Sequence, residues 1–423
     1  MLHRIRIPVW LLIASLIAAL GLLSSLPAQT PLKVSTDFEG GSARILEIDS
    51  ATSTIRITPG GDPNRGWACW WAIRIDNATP GQPLTVELGG SDRPTRHKGE
   101  LTGKPLDPGW SMPAQAAISH DGVRWQQSAP AKREGSRIRY QLTPESASLW
   151  VAWGPLFTPR HTQELIAEAT AKIPSARQFE LARSRENRPV SALKVGGAEG
   201  SPGNRPAVWI QARQHAWESG ASWVARGFVE WLAAKNESAR WLLENAEVVV
   251  VPIMDVDNVV TGDGGKEENP RDHNRDWDQT PVFPEVAAAQ KHLQQWAKQD
   301  RLDFFIDLHN PAPRDLRPFF FCGPPELVSD QSQSNRALFL EIAKKQINGP
   351  LSVEPTPRIT GPSYHPLWKQ ISGQWVTDHG NDHTVAICLE TPWNTPHSTT
   401  AGYLTIGHQL GESIAEYLHR RKR

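Results

Sequence analysis

The stretch PAVWIQARQHAWESGASWVARGFVEWLAAK, residues 206–235, runs from a strand directly into a helix. PAVWIQA is a short apolar run with the look of a strand covered on both faces, and GASWVARGFVEWLAAK is long enough for a helix. His215 and Glu218 fall in the junction. A His-x-x-Glu spacing brings two zinc-compatible donors about one turn apart. The bare pattern is common, and it recurs here at His97/Glu100 and His161/Glu164. His97 lies in a charged stretch expected to be a long loop, PTRHKGELTGKPLDPGWSMP (94–113). His161 falls in the first turn of an expected surface helix, where Glu164 suits the helix dipole. Only His215 directly follows a hydrophobic strand, and open α/β sheets bind ligands beyond the carboxyl ends of their strands.

Two more strands end on polar residues. DFFIDLHNP (303–311) closes on His309, with Asp307 on the same face by alternation. TVAICLETPW (384–393) closes on Glu390, sharing a face with Ala386 and Cys388. A carboxylate ending so apolar a run is costly unless it is paired or bound to metal. Between these segments, NPRDHNRDW (269–277) supplies Asn274 and Arg275. The planar fork of an arginine matches a carboxylate.

Around these segments, strands and amphipathic helices alternate from Thr158-Pro159 to the end, Thr158 being a good N-cap and Pro159 suiting the first turn. This pattern predicts an α/β domain over 157–423, its sheet covered by helices on both faces. Residues 31–155 have a different rhythm. RILEIDS, STIRITP, WWAIRID, LTVELGG, RIRYQLT and SLWVAWG are short strand-like runs separated by Gly/Pro/Asn turns, which predicts a β-sandwich.

Lys+Arg and Asp+Glu both number 45, so there is no net basic charge to favour nucleic acid. Hydrophobic residues at 39% and charged residues at 21% support packed cores rather than disorder. With 18 Trp to bury or place, several should line grooves or sheet faces. The three cysteines, Cys69, Cys322 and Cys388, are too few for a disulfide scaffold and are expected to be free thiols. MLHRIR followed by an apolar run to Leu26 has the form of an export signal over 1–28, cleaved near Ala28. The alternative is an uncleaved membrane anchor. After cleavage no stable membrane insertion is expected, and the protein would be periplasmic or secreted.

The segments ARQHAWESGASW, VVVVPIMDVDNVVTGD, DHNRDW, DFFIDLHN and CLETPW together resemble the M14-type zinc carboxypeptidases. The nearest resemblance is to the cytosolic-carboxypeptidase-like branch, which carries a β-sandwich before its catalytic domain. The resemblance implies a mixed sheet covered by helices. It also implies one zinc held by His215, Glu218 and His309, with Asp272 orienting His215, and a peptide C-terminus gripped by Asn274 and Arg275. Glu390 is implied as the general base. The branch usually reads Asn-Pro-Asp-Gly-Val where this chain has Asp255-Val256-Asp257-Asn258-Val259. The family's carbonyl-polarising arginine, expected shortly after Gly262, has Lys266 and Arg271 as candidate replacements, and Tyr364 is the candidate for the tyrosine that closes over substrate. The segment KQISGQWVTDHGNDH (369–383) is expected to form the specificity wall. Two rival functions remain open from the sequence: an amidase or deacylase acting on a small amide or cell-wall peptide, and an inactive peptide- or glycan-binding relative.

Overall fold

The computed structural model describes residues 30–197 and 205–421. The expected export signal lies outside these residues. Among the described residues, no helix is long and apolar enough to cross a membrane.

Between Lys33 and Ala152 the chain forms two five-stranded sheets. One orders Lys33–Ser35, Ala72–Asp76, Ser148–Ala152, Ala117–Ser119 and Gln126–Gln127. The other orders Lys132–Glu134, Arg137–Leu142, Leu84–Gly89, Thr54–Thr58 and Arg44–Asp49. Alternation sets the core: Ile138, Tyr140 and Leu142 point inward while Arg137, Arg139 and Gln141 face solvent. The stretch 94–113 is not one long loop. It contains a hairpin of Pro94–His97 and Glu100–Pro105, turned at Lys98 (φ 54°) and Gly99 (φ 84°). The turn is held from outside, because Glu267 accepts the Lys98 and Gly99 N–H groups at 2.9 and 2.8 Å. Nothing local in the sequence announces such a contact.

The remainder is built on an eight-stranded mixed sheet. Its strands are β1 (Arg177–Arg183), β2 (Pro189–Gly196), β3 (Ala207–Ala212), β4 (Glu247–Val251), β5 (Leu302–His309), β6 (Phe319–Cys322), β7 (Arg358–Ile359) and β8 (Val385–Glu390), in the order β1-β2-β4-β3-β5-β8-β6-β7. The central run β4-β3-β5-β8 is parallel, and antiparallel neighbours flank it. The helices are α1 (Pro159–Lys172), α2 (Ser219–Ala233), α3 (Glu237–Asn245), α4 (Val256–Thr261), α5 (Pro284–Lys298), α6 (Asp330–Gln346), α7 (Ser372–His379) and α8 (Thr400–Arg420). From β3 the chain passes first to β4 on one side and then to β5 on the other. The crevice at such a reversal is where α/β sheets hold ligands.

Helix α2 is buried almost all round because α8 crosses it closely. Two glycines permit this: a Cβ on Gly227 would stand 2.4 Å from Leu404 O, and one on Gly407 would stand 2.2 Å from Val224 O. The N-terminus of α1 corrects the expectation of a surface histidine. His161 is 6% exposed, and its Nδ1 accepts the Thr158 N–H at 3.1 Å in a capping box. Glu164 pairs with Arg160 at 2.8 Å instead of acting beside His161.

Candidate metal centre and cleft

The chain leaves β3 at Ala212, and Arg213 takes a left-handed φ of 67°. Its buried guanidinium braces the turn by donating to Ala216 O at 2.7 Å and Phe157 O at 2.8 Å. The turn delivers His215, and Glu218 follows as the N-cap residue of α2. Glu218 makes no side-chain cap; its carboxylate turns to the two histidines instead. His215 Nδ1 lies 2.8 Å from Glu218 Oε1, and His309 Nδ1 lies 2.7 Å from Glu218 Oε2. The opposite ring nitrogens are backed by buried carboxylates: His215 Nε2 is 3.0 Å from Asp272, and His309 Nε2 is 2.9 Å from Asp307. Such backing fixes the tautomer and ring plane of a metal-binding histidine. Asp307 is itself held by Gln214 and by Ser372 Oγ, the latter at 2.5 Å.

The strand register brings the last carboxylate in. β5 and β8 pair in parallel with His309 opposite Glu390. Ala386, Cys388 and Glu390 all line one cavity with His215, Glu218 and His309. Glu390 Oε2 is buried and has no hydrogen-bond partner. Burial pushes this carboxyl up to about 7, against the opposing pull of His309. Burial would also raise Glu218, but His215 and His309 outweigh it and bring Glu218 down to about 2. Ligand-type atoms of His215, Glu218 and His309 lie within 4.8 Å of one another. Two imidazoles and a carboxylate, with backed ring nitrogens and an unsatisfied carboxylate alongside, fit a catalytic zinc.

Of the two cations expected to replace the missing arginine, only Lys266 lines the cavity. Arg271 is bound to Asp276 and Asp278 at 3.1 and 2.6 Å. The Lys266 segment is tethered to the sandwich. Lys266 O accepts Trp67 N–H at 2.9 Å, Gly265 N–H donates to Arg65 O at 2.9 Å, and the Lys266 ammonium lies 5.5 Å from the Trp67 ring centre. Burial, the largest influence, opposes the lysine's charge, but Asp272, Tyr364 and Glu218 together outweigh it and hold its pKa above the ordinary value.

Asn274 lines the cavity with its amide oxygen engaged, accepting Ser372 N–H at 3.0 Å, while Nδ2 sits 3.2 Å from His309 Nε2, whose proton goes to Asp307. Arg275 is buried next to it, donating to Asn274 O at 2.7 Å and to His365 Nδ1 at 3.3 Å. Its guanidinium lies 5.9 Å from the ring centre of Tyr364, a cavity residue that is 37% exposed. Residues 371–374 of the expected specificity wall also line the cavity. All three cysteines are free.

Sequence reading missed a second cluster. Asp255, Glu268 and His273 also bring ligand-type atoms within 4.8 Å of one another. These groups answer one another. His273 Nδ1 is 2.9 Å from Glu268 and Nε2 is 2.7 Å from Glu285, while the Asn258 amide donates to Asp255 and Glu268 at 2.8 and 3.1 Å. The Asp255 and Asn258 departures from the family pattern were the available signal.

Fold and cleft together define a zinc hydrolase with its centre at the carboxyl ends of three adjacent parallel strands. The zinc carboxypeptidase family model matches residues 162–392, and the cytosolic carboxypeptidase N-terminal domain model matches residues 34–153. The chain belongs to the zinc carboxypeptidase family, whose members are peptide hydrolases that use one zinc. An uncharacterized protein of Zymomonas mobilis is 25% identical over 74% of this chain and 76% of its own length. Human cytosolic carboxypeptidase 1 is 33% identical over 30% of this chain, a stretch that spans 10% of the human protein. Among solved structures, the metallo-carboxypeptidase of Burkholderia cenocepacia superposes with a TM-score of 0.74 at 22% identity, covering 92% of this chain and 99% of that one. That of Pseudomonas aeruginosa gives 0.73 at 18% identity, covering 92% and 99%. At these identities the likeness shows the fold, including the sandwich that precedes the catalytic domain.

Proposed function

We propose that the chain removes the last residue from peptides with a free C-terminal carboxylate, with His215, Glu218 and His309 holding the zinc. The observation that carries this reading is the convergence of these three with Glu390 and Lys266 on one cavity, beside an Asn274–Arg275 pair. Zinc, when bound, supplies Lewis acidity that activates water and polarises the scissile carbonyl. Glu390 takes the proton of the attacking water and returns it to the leaving amine. Lys266 faces the negative charge that develops on the carbonyl oxygen. Arg275, beside Tyr364, meets the terminal carboxylate, and Asn274 fixes Ser372 next to it.

The test is turnover of one peptide in two forms, free acid and C-terminal amide. Release of the last residue from the acid form alone is expected. Equal turnover of both forms would favour an amidase. The pattern of residues 1–28 also supports export of the chain, although one relative named above, the human protein, is called cytosolic. N-terminal sequencing of the protein from fractionated cells tests this: a mature start after Ala28 is expected, and a full-length cytoplasmic product would overturn it.

A further inference from the structure

Beside the metal centre the cavity is walled by Ile371, Ala386, Ile387 and Cys388, with Gly323 and Gln374 also lining it. Gln374 is 1% exposed, and its amide orientation is determined. Nε2 donates to Asp378 Oδ1 at 2.8 Å, one turn along α7, and a carboxylate can only accept. The amide oxygen therefore points away from Asp378, and it has no hydrogen-bond partner. A Cβ at position 323 would stand 2.8 Å from this oxygen, so the glycine leaves it uncovered. A buried acceptor without a donor is costly, and a ligand that brings the donor recovers that cost. Among the described residues that line the cavity, the cations are Lys266 and Arg358; Arg336 does not line it but donates to Gly323 O at 2.9 Å. Arg358 is bound to Asp315 at 2.9 Å and Glu354 at 3.1 Å, one guanidinium against two carboxylates.

We propose that this cavity receives the side chain of the substrate's terminal residue and selects a neutral carboxamide, glutamine above others, whose N–H donates to Gln374 Oε1. The proposal rests on the carboxypeptidase reading and names the substrate class of that site. The apolar walls match the methylene stem of glutamine, and the orphan oxygen matches its tip. A terminal glutamate would set a charged acceptor against the buried Gln374 acceptor. Methionine has the same reach and no donor, and sites built around a hydrogen bond discriminate against analogues that lack it.

The experiment compares kcat/KM for peptides that differ only in a terminal Gln, Met or Glu, read by release of the free amino acid. Gln is expected to exceed Met by about 10- to 100-fold, with Glu below Met. Gln374→Leu and Gly323→Ala should each bring the Gln-to-Met ratio toward one, with zinc content measured on both variants as the check on folding. Equal values for Gln and Met in the wild type overturn the proposal. So does a preference for Glu, or a Gln preference that persists in a zinc-replete variant. If both variants lose zinc, the wild-type series decides alone. Absence of turnover on every free-acid peptide removes the carboxypeptidase reading itself and the proposal with it, an outcome distinct from unselective turnover.

Discussion

Trp153, immediately after the last sandwich strand, packs edge-on against Trp217 with ring centres 5.2 Å apart. Trp217 sits between His215 and Glu218 in sequence, so the sandwich braces the turn that carries two of the proposed zinc ligands. Trp393, just past Glu390, packs at a tilt of 40° against the same Trp153 ring, with centres 4.4 Å apart. The N-terminal domain thus backs the proposed catalytic centre, and its Trp110 lines the cavity. Trp153→Ala should cost about 3–5 kcal/mol and weaken zinc retention. Denaturant unfolding and metal analysis after mild chelation would check this, and undiminished zinc retention would show that the bracing is dispensable.

His309→Ala should release the metal, since the two ligands left are a poor hold for zinc against a chelator. Metal analysis should fall from one zinc per chain toward none. Stoichiometric zinc in this variant would exclude His309 as a ligand.

Glu390→Gln keeps the shape and removes the base, so kcat should fall by about 100- to 10,000-fold while zinc stays bound. The same carboxyl sets a pH dependence. Its pKa is raised to about 7, so the protonated, inactive form accumulates below that value. kcat/KM should decline on the acid side through a midpoint at or below 7, because the charge of bound zinc favours the ionised form. An acid limb that persists unchanged in the residual activity of Glu390→Gln would assign it to another group.

Arg275→Lys should raise KM for free-acid peptides by roughly 10- to 100-fold, the loss expected when a charge-assisted forked contact becomes a point charge. An unchanged KM would place carboxylate recognition elsewhere in the cleft.

Lys266→Met should lower kcat by about 100-fold or more if the ammonium faces the developing oxyanion. Arg271→Met should leave kcat near normal, because Asp276 and Asp278 hold that side chain away from the cavity. The reverse pattern in steady-state kinetics would exchange their roles.

Much of this protein is legible from local sequence. The apolar runs ending in His309 and Glu390 announce buried strands, and alternation alone places Asp307 with His309 and Cys388 with Glu390. Periodicity marks α2, α5 and α8, and the Gly/Pro-punctuated short runs mark the sandwich. These features depend on neighbouring residues and on the face each one buries, so they survive without knowledge of the rest of the chain. Other features were settled only when distant segments met. The turn at residues 98 and 99 needs Glu267, the placing of Lys266 in the cavity and of Arg271 outside it needs the Trp67 connection, Asp276 and Asp278, and the burial of His161 needs the packing around α1. The direction of the Gln374 amide depends on Asp378, and its openness depends on Gly323 from another strand connection. Contacts of this kind are selected by the packing of the whole molecule, and a single stretch of sequence carries no record of which remote partner will arrive.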